Sequence, residues 1–255
     1  MKIIRFETKL TPPQYGWVSQ DKVGVLGGDP FGEFRRFDPQ FSLTEVHLLA
    51  PVLPTKIVAV GRNYSEHARE MNAAVPDVPV IFFKPVSAVI ASGDVILIPP
   101  QSERVEHEAE LAVVVGKRSR WLTPETVRDA IFGYTIANDV TARDLQQKDA
   151  QWTRAKGFDT FCPLGPWVET EFDPTDALIS CRVNNSLRQM ASTRDMVFDV
   201  EQLLMYVSSI MTLMPGDVLL TGTPAGVGRL ASGDVVSIHI NGIGSLNNPV
   251  RASKS

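Results

Sequence analysis

Glu106-His107-Glu108-Ala109-Glu110 runs without interruption into Leu111-Ala112-Val113-Val114-Val115. The second half is a continuous apolar run rich in β-branched residues, so the ten residues read as one buried strand. Side chains on a strand alternate faces. Glu106, Glu108 and Glu110 therefore share one side, and His107, Ala109 and Leu111 the other. Stacked carboxylates repel, and a buried, unpaired one is costly. A hard divalent cation bound by oxygen removes both penalties. The alternative is an edge strand with a solvated acidic face. It suits Glu106 and suits Glu110 poorly, because the apolar run begins immediately after Glu110.

The 255 residues suffice for one large domain, or for a main domain with a small appendage. A hydrophobic fraction of 44% and a charged fraction of 21% are ordinary for a globular chain. A net charge of -4 with scattered basic residues leaves no footprint for nucleic acid. Residues 1–7 carry charges where a signal peptide needs an apolar core, and no apolar run is long enough to cross a bilayer. Cys162 and Cys181 make neither a disulfide framework nor a CxxC zinc pattern. The expectation is a reduced, cytoplasmic protein with no membrane partner.

Outward from the acidic stretch, residues 1–50 read as a small N-terminal β module. It has a strand at 2–8 and a hairpin at 15–26 that turns at Ser19-Gln20-Asp21-Lys22. A proline-punctuated linker at 49–54 leads to the main domain, residues 55–252. There, strands are expected at 56–60, 80–83, 95–98, 134–137, 178–183, 218–221 and 235–240. Ser65 caps a short helix running to Met71. Thr123-Pro124-Glu125 opens another, which Gly133 ends. A polar helix covers 142–149, and Asp199 caps an amphipathic helix at 200–211. Strands outnumber helices and regular βαβ alternation is absent. The fold class is therefore α+β, mixed and β-dominated.

A hard-metal site needs more than two carboxylates, or adds backbone and water. Asp139, at the end of an apolar strand, is the best third ligand; its competing role is an ordinary helix cap. Arg143 lies four residues on, near enough to reach the same site. His67 and Glu70 are three apart on a helix and share a face. A carboxylate beside an imidazole raises its basicity, as water activation requires, although chance surface pairs of this kind are common. Lys156, in an aromatic and glycine-containing context, either neutralises a substrate carboxylate or is solvated. Arg143 and Gln146 share a helical face and could reach the same anion. The loop at 222–228 offers backbone N–H groups to an anion but lacks the endings of nucleotide-binding loops. His107-Glu108-Ala109-Glu110-Leu111 lacks the second histidine of a zincin, and no GxSxG is present.

Together these stretches resemble the fumarylacetoacetate hydrolase superfamily. The resemblance lies in Gly61-Arg62-Asn63-Tyr64 with His67 and Glu70, in Phe82-Phe83-Lys84-Pro85, in the acidic stretch, and in Asn138-Asp139-Val140-Thr141-Ala142-Arg143-Asp144. It continues through 152–158 and Thr221-Gly222-Thr223-Pro224-Ala225-Gly226-Val227-Gly228. It implies a mixed β-sandwich roll with flanking helices, and a homodimer. It implies Mg²⁺, or Mn²⁺ or Ca²⁺, on Glu108, Glu110 and Asp139. His67 and Glu70 match the family's water-activating dyad and Lys156 its active-site lysine. Arg143, Gln146 and Thr223, with Gly222 beside it, match substrate-binding positions. No acid precedes the dyad in Val58-Ala59-Val60-Gly61, which resembles the three-carboxylate branch. The implied substrate is a small 2-oxo acid, activated as its enolate. The leading expectation is C–C hydrolysis of an acylpyruvate-like substrate or decarboxylation of oxaloacetate. Isomerisation of 2-hydroxyhepta-2,4-diene-1,7-dioate, or a decarboxylation, in aromatic catabolism is the alternative, and a non-catalytic metal- or ligand-binding protein is the alternative of another class.

Overall fold

The computed structural model describes residues 1–253, and strands dominate it. The largest sheet has twelve strands. From one edge its path runs through Phe34–Ser42, Lys22–Gly28, Gln14–Ser19 and Lys2–Glu7 to Cys162–Glu169. It continues through Ile131–Asn138, Ala109–Val115, Val218–Leu220, Ile57–Gly61 and Val80–Lys84. The N-terminal strands thus hydrogen-bond directly into the main sheet, with Lys2 opposite Glu169 and Ile3 opposite Val168. A five-stranded sheet packs against it in the order Ser186–Ser192, Leu178–Val183, Val235–Ile240, Gly244–Ala252, Ile96–Ile98.

Ala109–Val115 is buried at every residue. Leu111, Val113 and Val115 pack with Ile179 and Ile238 of the five-stranded sheet and with Leu203, Leu204 and Val207 of the helix Val200–Ile210. Ala112 and Val114 face the opposite core with Ile57, Ala59, Leu164 and Leu220. Burial on both faces is why this strand reads as a continuous apolar run. Asp199 caps the helix as expected, in a capping box with Gln202.

The acidic stretch is not one strand, however. It divides at Glu108. Val105–His107 pairs with Thr141–Ala142 and Gly228–Arg229 in a three-stranded sheet, and Ala109–Val115 joins the main sheet. The cause is Asn138, whose Oδ1 accepts the Glu108 N–H at 2.9 Å, while the Asp139 N–H donates to the Glu108 carbonyl at 2.9 Å. Both backbone groups of Glu108 thereby leave the strand ladder, and the chain passes from one sheet to the other.

Two further expectations are corrected. The helix from Thr123 to Gly133 does not form. The N–H groups of Thr126 and Val127 close one turn on Thr123, a 3₁₀ turn spans Arg128–Ala130, and the strand Ile131–Asn138 follows. Gly133 lies inside that strand, where a Cβ would come within 2.6 Å of the Glu169 carbonyl oxygen, so it permits a close strand approach rather than stopping a helix. Ser65 is the first residue of the helix Ser65–Glu70, not its cap. Tyr64 takes the cap position without a side-chain bond and is held in a β-bridge to Met196. Among the described residues no helix is long and apolar enough to cross a membrane.

Candidate active site

The division at Glu108 borders a cavity of about 240 Å³. Its walls come from the main sheet, from Ser65–Glu70, and from the short helices Arg143–Lys148 and Thr153–Lys156. Glu108, Glu110 and Asp139 line it, with oxygen atoms that all lie within 4.8 Å of one another. A different device places each. Glu108 stands at the strand break. Glu110 follows on the same face, and its Oε2 accepts the Gly222 N–H at 2.7 Å. Asp139 leaves the end of Ile131–Asn138, tied to Glu108 through the backbone.

Three buried cations answer these carboxylates. Lys156 Nζ donates to Glu108 Oε2 at 2.7 Å and to Asp139 Oδ2 at 2.6 Å. Lys84 Nζ stands 2.6 Å from Asp139 Oδ1 and donates to the Lys156 carbonyl at 2.7 Å. Arg143 donates from Nε to Glu106 at 2.7 Å, from Nη2 to Glu108 at 2.5 Å and from Nη1 to Gln146 Oε1 at 2.6 Å. Glu106 is therefore no solvated edge residue. It is 1% exposed, and its other oxygen accepts from Arg104 at 2.6 Å.

The protonation balance is uneven. Burial pushes the Glu108 carboxyl up, but the charges of Lys156 and Arg143 outweigh it and hold the group well below its ordinary value. Glu110 goes the other way. Burial, then the neighbouring Asp139 and Glu108, push it well above, and Lys156 compensates only in part. Burial opposes the charge on Lys156, yet Asp139 and Glu108 raise its pKa and keep it an ammonium.

His67 Nδ1 meets Glu70 Oε2 at 3.0 Å. The Gly226 N–H donates to Glu70 Oε1 at 3.1 Å and to Oε2 at 3.3 Å, so the glycine-rich loop holds the carboxylate. If the ring proton lies on Nδ1, toward Glu70, Nε2 is the basic nitrogen of His67, a residue that lines the cavity. Of the residues singled out from the sequence, Glu108, Glu110, Asp139, His67, Arg143, Gln146, Lys156 and Thr223 share this one cavity. Glu70 and Gly222 stand one contact behind it. Sequence reasoning passed over Lys84 and the paired state of Glu106. A lysine closing an apolar strand, Val80–Lys84, was the one available signal for the former.

The family described as "Fumarylacetoacetate (FAA) hydrolase C-terminal" matches residues 56–251, and "Rv2993c-like, N-terminal" matches residues 1–51. "Oxaloacetate tautomerase FAHD2B, mitochondrial" of Bos taurus is 45% identical over 225 residues, 83% of this chain and 72% of that protein. The structure of 2-hydroxyhepta-2,4-diene-1,7-dioate isomerase from Mycobacterium marinum matches 100% of both chains at 40% identity and a TM-score of 0.93. Maleylpyruvate hydrolase from Sphingobium sp. SYK-6, solved with manganese (II) ion and pyruvate, matches 100% of both chains at 30% identity and a TM-score of 0.82. With the acidic cluster, the histidine–glutamate pair and the strand-rich fold in place, the chain belongs to the fumarylacetoacetate hydrolase family.

Proposed function

We propose that this protein is a divalent-cation-dependent enzyme that interconverts the enol and keto forms of a small 2-oxo acid of the oxaloacetate type. One observation carries the reading: three buried carboxylates within 4.8 Å of one another line the same cavity as His67, which is paired to Glu70. The donor set fits Mg²⁺, Mn²⁺ or Ca²⁺, because it is all oxygen and because a buried Glu110 beside two carboxylates calls for more positive charge than Lys156 supplies. Glu108, Glu110 and Asp139 would hold the ion. When bound, it supplies a Lewis acid for the negative charge that develops on the 2-oxo oxygen.

The remaining chemistry belongs to side chains of this chain. His67 Nε2 takes the proton of the reacting group, and Glu70 orients the ring and stabilises its charged form. Lys156, an ammonium within the cluster, balances the substrate carboxylate or returns a proton. Arg143 engages the Gln146 carbonyl oxygen, which leaves the Gln146 amide N–H groups to donate to an anion. The cavity of about 240 Å³ suits a substrate of a few carbons. The named tautomerase and isomerase among the similar proteins support a proton shift. C–C hydrolysis of an acylpyruvate-like substrate, or decarboxylation, is the second reading. The same His67–Glu70 pair can deprotonate water, and the similar maleylpyruvate hydrolase favours it. The reading includes residues 55–252 as the catalytic domain, 1–50 as an accessory module, a second copy of the chain as partner and a cytoplasmic setting.

The test is NMR of the purified protein with enol-oxaloacetate and, separately, with acetylpyruvate, each with Mg²⁺ and with EDTA. Metal-dependent acceleration of ketonisation without pyruvate release supports the first reading. Pyruvate and acetate from acetylpyruvate support the second. No turnover of either by folded, metal-loaded protein contradicts both.

A further inference from the structure

The side of the acidic stretch that faces away from the carboxylates carries a second polar network, centred on Gln189 of the strand Ser186–Ser192. Gln189 is 1% exposed and its amide is fully engaged. Oε1 accepts the Ala109 N–H at 3.1 Å and faces His107 Nδ1 at 2.9 Å. Nε2 donates to the Pro224 carbonyl at 2.8 Å and to Thr223 Oγ1 at 2.8 Å. A backbone N–H can only donate and a carbonyl only accept, so Ala109 and Pro224 decide which end of the amide is oxygen. His107 Nδ1, facing an amide oxygen that can only accept, must then carry a ring proton.

The consequence reaches the cavity. Thr223 Oγ1 donates its proton to the Ala109 carbonyl at 2.9 Å while accepting from Gln189. The hydroxyl has one lone pair left and no proton to give. Downstream, Gly226 lies against the same strand. Its φ is +99°, and a Cβ there would come within 2.1 Å of the Arg188 carbonyl oxygen. Its N–H is the group that holds Glu70.

We infer that Gln189 is a positioning residue for the proton-moving site: it fixes the Thr223 hydroxyl as an acceptor and pins the loop that holds Glu70 against His67. The inference rests on the 2-oxo-acid reading above and sharpens it. Thr223 lines the cavity, and a ligand that reaches its hydroxyl must present an O–H, such as an enol hydroxyl or a water. A carboxylate would meet it lone pair to lone pair.

The test compares Gln189→Met, Gln189→Glu, Thr223→Val and the Gln189→Met/Thr223→Val double variant. The readouts are kcat and KM for enol-oxaloacetate with Mg²⁺, the Mg²⁺ affinity, and hydrogen exchange at the Gly226 amide. Gln189→Met is expected to lower kcat about tenfold, with KM changed by less than about twofold. Gly226 should exchange faster, with Mg²⁺ affinity unchanged. The double variant should lose less than the product of the single losses, because part of the Gln189 effect passes through its bond to Thr223. Gln189→Glu keeps the acceptor and lacks the donor, and so should show the same kcat loss if the methionine variant does not fold. Wild-type kcat and wild-type Gly226 exchange in a folded Gln189 variant overturn the inference, as does a fully multiplicative double variant. Should the wild-type protein turn over no 2-oxo acid, the functional reading falls, and Gly226 exchange alone still decides whether Gln189 pins the loop.

Discussion

Lys156 Nζ lies 2.6 Å from Asp139 Oδ2, so an ammonium stands among the oxygens proposed to bind a cation. Two unit charges about 4 Å apart interact by about 4 kcal/mol at an intermediate effective dielectric. Lys156 and a metal ion therefore compete for the same carboxylates. Lys156→Met should tighten Mg²⁺ binding by about tenfold, a part of that interaction, while lowering turnover by about 100-fold. Calorimetric titration beside a turnover assay checks both. Weaker Mg²⁺ binding in the variant would mean that Lys156 builds the ion site instead of competing for it.

The pH dependence of the metal-free protein should be two-sided. Burial first, then Asp139 and Glu108, raise the Glu110 pKa above its unfolded value. Such a group contributes stability that is full below the unfolded pKa and is lost as pH rises through the folded one. For Glu108, Lys156 and Arg143 overcome the opposing effect of burial and depress the pKa. Its contribution is present above the unfolded pKa and lost as pH falls through the folded one. Urea midpoints measured in EDTA across pH should fall on both sides, and Glu110→Gln should remove the loss on the alkaline side only. Mg²⁺ binding favours the ionised Glu110 carboxylate, so its affinity should rise with pH as that raised carboxyl loses its proton.

His67 and Glu70 contact none of the three carboxylates by hydrogen bond, so chemistry and ion binding should separate there. His67→Ala should lower kcat by about 10²- to 10⁴-fold and Glu70→Gln by a smaller factor, both with wild-type Mg²⁺ affinity. Unchanged turnover in His67→Ala would remove the proton-transfer role.

Lys84 has a fully buried side chain whose ammonium faces Asp139. Removing Lys84 leaves Asp139 with Lys156 as its remaining buried cation, so its charge is only partly compensated. Lys84→Met should therefore cost about 2–3 kcal/mol in chemical denaturation without metal, less than the loss of a sole partner. Added Mg²⁺ should recover part of that loss, because the ion supplies the missing positive charge.

How far the molecule can be read from its sequence depends on the range of the forces involved. Glu108 and Glu110 could be placed on one face because strand parity is local, and the capped helix Val200–Ile210 announced itself through Asp199 and its apolar spacing. The division at Glu108 could not, because it depends on the Asn138 side chain thirty residues away. Gly133 carries the signal of a helix stop and serves instead as a close approach to the Glu169 backbone. Phe34–Ser42 is largely exposed and has no apolar alternation to reveal it as a strand. Gln189 lies in another sheet and shows its role only when Ala109, Thr223 and Pro224 come within reach of one amide.

The most direct measurement is calorimetric titration of Mg²⁺ into the purified wild-type protein and into Asp139→Asn, with both shown to be folded by circular dichroism. The account predicts one ion per chain in the wild type, with protons released on binding, and loss of that binding in the variant. A folded wild-type protein that takes up no divalent ion, or an Asp139→Asn variant that binds it as tightly, would contradict the assignment of the carboxylate cluster and the mechanism built on it.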